Sequence, residues 1–98
     1  MCIRDRSTGV TVLRYAIRAE IRLITSELAT DLARVPGLAG WSTEDLNILA
    51  GLFVNAMIGI AETLEDAQDA AAQEEVKRTA IKQLRMIAVA VTGWRSAT

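Results

Sequence analysis

The chain has 98 residues and a net charge of −1, and 51% of the residues are hydrophobic while only 4% are aromatic. One domain fits this length, and its core must come from aliphatic side chains and alanine. With no histidine and a single cysteine, the composition excludes a zinc site of the ordinary type and an internal disulfide. We expect no metal or cofactor, and a cytoplasmic location because no apolar signal segment follows Met1.

The opening segment MCIRDRSTGV differs from the rest of the chain. Two arginines and an aspartate surround Cys2, ahead of a regular apolar pattern. The codons ATG-TGT-ATA-AGA-GAC would encode Met1–Asp5, and they resemble the transposon-end adapter of sequencing libraries. This match suggests that residues 1–6 are translated adapter. We therefore expect residues 1–9 to form a non-native or disordered leader, in which Cys2 has no redox role.

The first predicted helix spans roughly residues 10 to 34. Its apolar residues recur at steps of three and four, which is the helical period. They are Val10, Leu13, Ile17, Ile21, Ile24, Leu28, Leu32 and Val35. We expect the helix to stop at Val35, because a proline disfavours the α conformation of its predecessor. Gly37 and Gly40 follow Pro36 in the connecting loop.

Charged residues are segregated along the sequence. Eight acids and no base lie between Trp41 and Glu75, and five bases and no acid follow from Val76 onward. Neither block is large enough to predict nucleic-acid binding.

A basic stripe on the first helix consists of Arg14, Arg18 and Arg22 at four-residue spacing. These side chains could contact an anion or pair with the acidic second helix. A solvated helix face is the alternative, and it is favoured because no aromatic residues are interleaved for stacking on nucleic acid.

The segment WSTEDL predicts the start of a second helix. Ser42 can cap the first free amides, and Asp45 stands at the capping-box position three residues later. Trp41 can pack on Leu46 as a hydrophobic staple. We expect this helix to run to about Leu64.

The middle of the second helix, residues 48–61, has one polar side chain, Asn55, among fourteen positions. A helix that is apolar all round must be covered on several sides. Because a membrane span needs about 20 residues, this segment falls short of one. Asn55 shares a face with Gly51 and Gly59, where the missing side chains would let another helix approach closely. That helix belongs either to a second subunit, which we favour, or to the same chain.

The third helix is predicted to begin near Asp69 or Ala70 and to end at Gly93. Its apolar stripe consists of Val76, Ala80, Leu84, Ile87 and Val91. The segment Met86–Val91 has no polar position, so this half of the helix should also be covered on more than one side.

No catalytic site is predicted, and we do not expect an enzyme. The carboxylates cluster at turns and helix ends, and no histidine is present to activate a serine. Phe53 and Met57, together with Met86 and Trp41, line either an apolar pocket for a small molecule or the ordinary core.

Two runs of the sequence resemble the C-terminal domain of TetR/AcrR-type transcriptional regulators. The first is RAEIRLITSELATDLARVPGLAGWSTEDLNILAGLFVNAMIGIAETL and the second is EEVKRTAIKQLRMIAVAVTGWRS. The resemblance covers roughly residues 12–96 and rests on the order of the helices, the glycine-containing apolar helix and the terminal TGWR. It implies an all-α domain over residues 10–96, in which the last two long helices pack with their twofold mates into a four-helix bundle.

For this sequence, the resemblance implies a homodimer whose interface uses one set of residues on the second and third helices. These residues are Leu49, Leu52, Asn55, Ala56, Gly59, Leu84, Ile87, Ala88 and Val91. It also places Phe53 and Met57 on the side of a pocket for a small apolar effector. Members of the family carry an N-terminal helix-turn-helix domain, for which this sequence has no room, so no DNA-binding residue is assigned here.

Three hypotheses follow from the sequence. The chain is the dimerisation and effector-sensing part of a truncated TetR-like regulator, which would reach operator DNA through the absent N-terminal domain. Alternatively it is a free-standing helical interaction module. The third hypothesis is a small membrane hairpin, although we expect no membrane association.

Overall fold

The computed structural model describes the backbone of residues 2–96 and the side chains of residues 9–96. Within this range the chain is all-α, as the sequence predicts, and contains no strand. The elements are α1 (Cys2–Leu32), a short 3-10 turn (Pro36–Leu38), α2 (Thr43–Asp66) and α3 (Ala70–Gly93). Helix α2 is central, because it packs against both α1 and α3.

The amino end of α1 lies at Cys2, ahead of the start predicted at residue 10. The side chains of residues 1–8 lie outside the described part of the chain. The adapter and leader assignments for residues 1–9 therefore stay predictions.

The end of α1 confirms the predicted effect of the proline. The amides of Arg34 and Val35 donate to carbonyls three residues back, which tightens the last turn, and Val35 is extended with ψ of 124°. This is the conformation that a following proline favours. The regular helix ends at Leu32, two residues before the predicted end at residue 34.

Side-chain caps start both later helices where the sequence predicts them. The Ser42 hydroxyl accepts from the Asp45 amide at 3.1 Å, and Asp69 accepts from the Ala72 amide at 2.8 Å. Each cap satisfies an amide that has no partner within the helix. Helix α2 ends at Asp66 rather than Leu64, and α3 ends at Gly93 as expected.

A small core lies where the carboxyl end of α1, the 3-10 turn and the amino end of α2 meet. Leu38, Leu46 and Leu49 are buried there. Half-buried side chains from all three helices and from Trp41 pack against this cluster: Leu32, Trp41, Phe53, Ile87 and Val91. Contact of Trp41 with the cluster agrees with its predicted role as a staple on the first turns of α2.

The shape is elongated, with extents of 55 × 35 × 19 Å and a radius of gyration of 17.4 Å. A compact domain of this length has a radius of gyration of about 12.6 Å. The accessible surface is 7875 Å², which exceeds that of a compact monomer of the same size by about 2,400 Å². The chain therefore exposes more surface to solvent than a compact fold of the same length would.

The apolar segments of α2 and α3 are not covered within one chain. Ile48 and Leu52 on α2, and Met86 and Val89 on α3, are all more than half exposed. The sequence predicts that both segments are covered on several sides, and among residues 9–96 no other element covers these four side chains.

Helix α2 is also long and apolar enough to cross a membrane, with a mean hydropathy of 1.5 over an 18-residue window. The prediction that this segment is too short to cross a membrane considered residues 48–61 alone. It is wrong on length, because the helix extends beyond its most apolar stretch. Core helices of soluble proteins can be equally long and apolar. The length and hydropathy of α2 are therefore weak evidence for a membrane span.

Candidate dimerisation surface

A groove runs between α2 and α3, and its apolar end has a volume of about 400 Å³. The residues that line this end are Trp41, Asp45, Ile48, Leu49, Leu52, Met86, Ile87, Ala90, Val91 and Trp94. Asp45 is the one ionisable group among them. Such a lining favours occupation by apolar side chains rather than by water.

A second cavity between the same two helices, of about 410 Å³, lies nearer the turn that joins them, and its lining is more polar. The residues at this end are Asn55, Ala56, Gly59, Ile60, Thr63, Glu75, Val76, Thr79 and Gln83. Steps of three and four connect Leu49, Leu52, Ala56, Gly59 and Thr63, so both ends lie on one face of α2. We call the two ends together the α2–α3 groove.

Most of the residues predicted for the dimer interface line this groove. Leu49, Leu52, Ile87 and Val91 lie at the apolar end, and Asn55, Ala56 and Gly59 lie at the polar end. Leu84 is half-buried and Ala88 is exposed, and neither belongs to the lining. The structure thus brings seven of the nine residues onto one surface, while the interface itself stays a prediction.

The glycines of α2 do not make room for a helix of the same chain. A Cβ atom built at Gly51 or Gly59 would meet no neighbouring atom within 4 Å. Of the two explanations for these glycines, close contact inside the chain is therefore not supported by the structure. The open space beside them is available to a second molecule.

The two residues predicted for an effector pocket line neither end of the groove. Phe53 is half-buried against the core cluster, whereas Met57 is 56% exposed on α2. Phe53 thus has a packing role in the described structure.

A cluster of hydrogen bonds, which we call the clasp, closes the apolar end of the groove. The Trp94 indole Nε1 and the Ser96 hydroxyl both donate to Oδ2 of Asp45, at 3.0 and 2.7 Å. The Ser42 amide donates to the Ser96 hydroxyl at 2.8 Å. The rings of Trp41 and Trp94 lie 6.3 Å apart at 53°, a tilted geometry that is favourable for aromatic pairs.

The clasp corrects the capping-box prediction for Asp45. In a capping box the carboxylate would accept directly from the Ser42 amide. Here the Ser96 hydroxyl stands between the two groups, accepting from the amide and donating to the carboxylate. The chain after α3 is thereby held against the amino end of α2.

The clasp also sets the charge state of Asp45. Hydrogen bonds from the Ser96 hydroxyl, and next from the Trp94 indole, lower the pKa of this carboxyl group below its ordinary value of 3.8. Partial burial acts in the opposite direction and is outweighed, and the Ser42 hydroxyl contributes a smaller lowering. Asp45 is therefore ionised at neutral pH.

Substitution of Asp45 by asparagine should destabilise the fold at neutral pH and much less in acid. Because the folded-state pKa is lowered, the contribution of Asp45 is complete above its ordinary value and is lost as pH falls through the lowered one. Urea denaturation followed by tryptophan fluorescence, at about pH 7 and about pH 2, measures the difference. Glu44→Gln in the same turn is the control, and an equal effect of Asp45→Asn at both pH values would contradict the clasp.

The ion pairs among the described side chains are local. They join Arg34 to Asp31, Lys77 to Glu74 and Arg78 to Glu75, and all of these side chains are exposed. None joins the basic stripe of α1 to α2, so pairing of these helices within the chain is not observed. In the same described region, no three acidic, cysteine or histidine side chains converge as a metal site.

Together the fold and the groove define a helical domain with an open apolar surface. No protein-family model, no curated protein and no solved structure matches this chain. The resemblance to TetR/AcrR-type regulators therefore stays a prediction from the sequence pattern.

Proposed function

We propose that the chain is a homodimerisation domain in which two copies pack their α2–α3 grooves together. The observation that carries this proposal is the apolar lining of the groove, in which Ile48, Leu52 and Met86 are more than half exposed and to which four residues of the predicted interface belong. A twofold axis through the groove would bring two helices from each copy into one bundle. Such a contact would cover Leu52 and Met86 in both copies at once.

Within this proposal, the domain acts as the C-terminal part of a TetR-like transcriptional regulator in the cytoplasm. Dimerisation would set the distance between two helix-turn-helix domains, which would carry all contacts to operator DNA. A small apolar effector bound near Met57 would change that distance by favouring one dimer geometry over another. The support is the helix order and the terminal TGWR segment, whose tryptophan closes the clasp.

Light scattering on the purified chain tests the dimerisation. We expect the mass of a dimer or a larger assembly at micromolar concentration, without detergent, because the exposed apolar groove favours association. A stable monomer would overturn the proposal. Quantitative partition into a detergent phase would instead favour the membrane hairpin, which the hydropathy of α2 makes the second candidate.

The regulator part of the proposal needs a separate observation. The nucleotide sequence upstream of codon 7 should encode a helix-turn-helix in the same reading frame. A frame closed by a stop codon directly upstream would leave a free-standing interaction module.

A further inference from the structure

The apolar end of the α2–α3 groove contains one negative charge without a cationic partner. Asp45 is the one ionisable residue of this lining. Its carboxylate accepts hydrogen bonds from Trp94 and Ser96, but among the described side chains no lysine or arginine forms an ion pair with it. Beside apolar surface, such a charge attracts a cation more strongly than it would in open water.

The charged neighbours in sequence do not neutralise Asp45. Glu44 precedes it, is exposed and does not belong to the lining. Arg95 follows Trp94 and is also exposed, and its guanidinium Nη1 donates to the Trp94 carbonyl at 3.3 Å. Arg95 therefore contacts the backbone rather than the Asp45 carboxylate.

Both tryptophans of the chain lie at this end of the groove. The ring centroids of Trp41 and Trp94 are 6.3 Å apart. The face of an indole ring attracts a cation, and the attraction grows where water is excluded. A ligand packed against these rings therefore gains from a positive charge as well as from apolar surface.

The rest of the lining suits the apolar body of such a ligand. Ile48, Leu52 and Met86 are more than half exposed in the single chain, so a ligand there would remove apolar surface from water. The volume of about 400 Å³ lies within the range of roughly 300–1,000 Å³ that small-molecule sites occupy.

We propose that this end of the groove binds a small organic cation with an apolar body, whose charge lies beside the Asp45 carboxylate. One chain forms the whole site, so the inference goes beyond the proposed dimerisation and does not depend on it. The site also differs from the predicted effector position, because neither Phe53 nor Met57 belongs to its lining. A bound cation would cover Met86 and would therefore compete with a second copy for this end of the groove.

Two probes of similar size and shape test the preference for charge. Methyltriphenylphosphonium is a cation, and triphenylphosphine oxide is neutral. Since Trp41 and Trp94 are the only tryptophans of the chain, the change of tryptophan fluorescence during titration reports on this end of the groove. We expect the cation to bind about tenfold more tightly than the neutral probe. Equal affinities, or no binding of the cation, would overturn the proposal.

Asp45→Asn tests which group attracts the cation. The asparagine loses the negative charge but keeps an oxygen that can accept from Trp94 and Ser96. This variant should bind the two probes with equal affinity. The matched control is Glu44→Gln, which removes a charge outside the lining and should keep the preference. Circular dichroism checks that both variants are folded.

Met86→Lys provides a test that leaves the clasp intact. Met86 is 69% exposed, so a lysine there is compatible with the fold, and its charge in the lining should lower the affinity for the cation about tenfold. Ile81→Lys adds the same charge to α3 outside the lining, at a side chain that is 56% exposed, and should bind the cation as the wild type does. An unchanged preference for the cation in folded Asp45→Asn or in Met86→Lys would show that the site is wrong.

Sedimentation velocity with and without methyltriphenylphosphonium separates this inference from the proposed function. A preference for the cation in a chain that is monomeric would support the site and overturn the groove dimer. A dimer without that preference would support the proposed function and overturn the site. If the chain shows both, a saturating concentration of the cation should lower the mass of the assembly. An unchanged mass would leave the site in place and show that the two copies meet elsewhere.

Discussion

Leu52→Asp should dissociate the groove dimer, with a rise in the dissociation constant of about a hundredfold or more. Leu52 is 53% exposed in the single chain, so an aspartate there remains hydrated in the monomer. In the dimer the same carboxylate would be buried without a partner, and twofold symmetry would place it in the interface twice. Sedimentation velocity across a range of concentrations measures the dissociation constant of the variant and of the wild type.

Val89→Asp is the matched control for that experiment. Val89 is 70% exposed on α3 and does not line the groove. It receives the same new charge but should leave the dimer intact. Equal dissociation of both variants would indicate a general effect of charge, and no dissociation of either would contradict the groove interface.

Leu49→Ala should lower the free energy of unfolding by about 2–5 kcal/mol, the usual range for a leucine truncated in a core. Leu49 lies only three residues from Leu52, yet it is 4% exposed and belongs to the cluster with Leu38 and Leu46. Because this core is small, few other contacts can compensate for the cavity. Urea denaturation in the L52D background, which should be monomeric, measures the loss without a contribution from association.

Leu23→Ala is the control for Leu49→Ala. Leu23 is an exposed leucine on α1, and its truncation should change the free energy of unfolding by no more than about 0.5 kcal/mol. Similar losses for the two variants would mean that the core is not where the structure places it.

The boundaries of the helices were predictable because local chemistry decides them. A proline restricts the residue before it, so Pro36 ends α1 within a few residues whatever the rest of the fold does. Ser42 and Asp69 cap the following helices through bonds that span three residues. These signals need no knowledge of tertiary structure.

Burial was less predictable than periodicity. The apolar stripe of α1 has a helical period along its whole length, yet its amino-terminal half is exposed from residue 9 to residue 20. A stripe shows which face could pack, whereas the angle between two helices decides how far along that face they stay in contact. The sequence therefore indicated which face of α1 could pack but not how much of that face is buried.

The clasp could not be predicted from the sequence, for a different reason. The sequence placed Asp45 in a capping box, and the structure adds Trp94 and Ser96 as its hydrogen-bond donors. These residues are about fifty positions apart along the chain, and no periodic or motif signal links them. Trp94 and Ser96 follow the end of α3. Their contact with Asp45 at the start of α2 becomes visible only when the two helices are packed together.

The clasp also has a consequence for the order of folding. Contacts between α1 and α2, and between α2 and α3, form across short links, and proteins dominated by such local contacts fold in microseconds to milliseconds. The bond from Ser42 to Ser96 instead closes a loop of 54 positions, which has a larger entropic cost. We therefore expect the two helical hairpins to form first and the clasp to close afterwards. Interactions that form late act mainly on the rate of unfolding, so the clasp governs how long the folded chain persists rather than how quickly it forms.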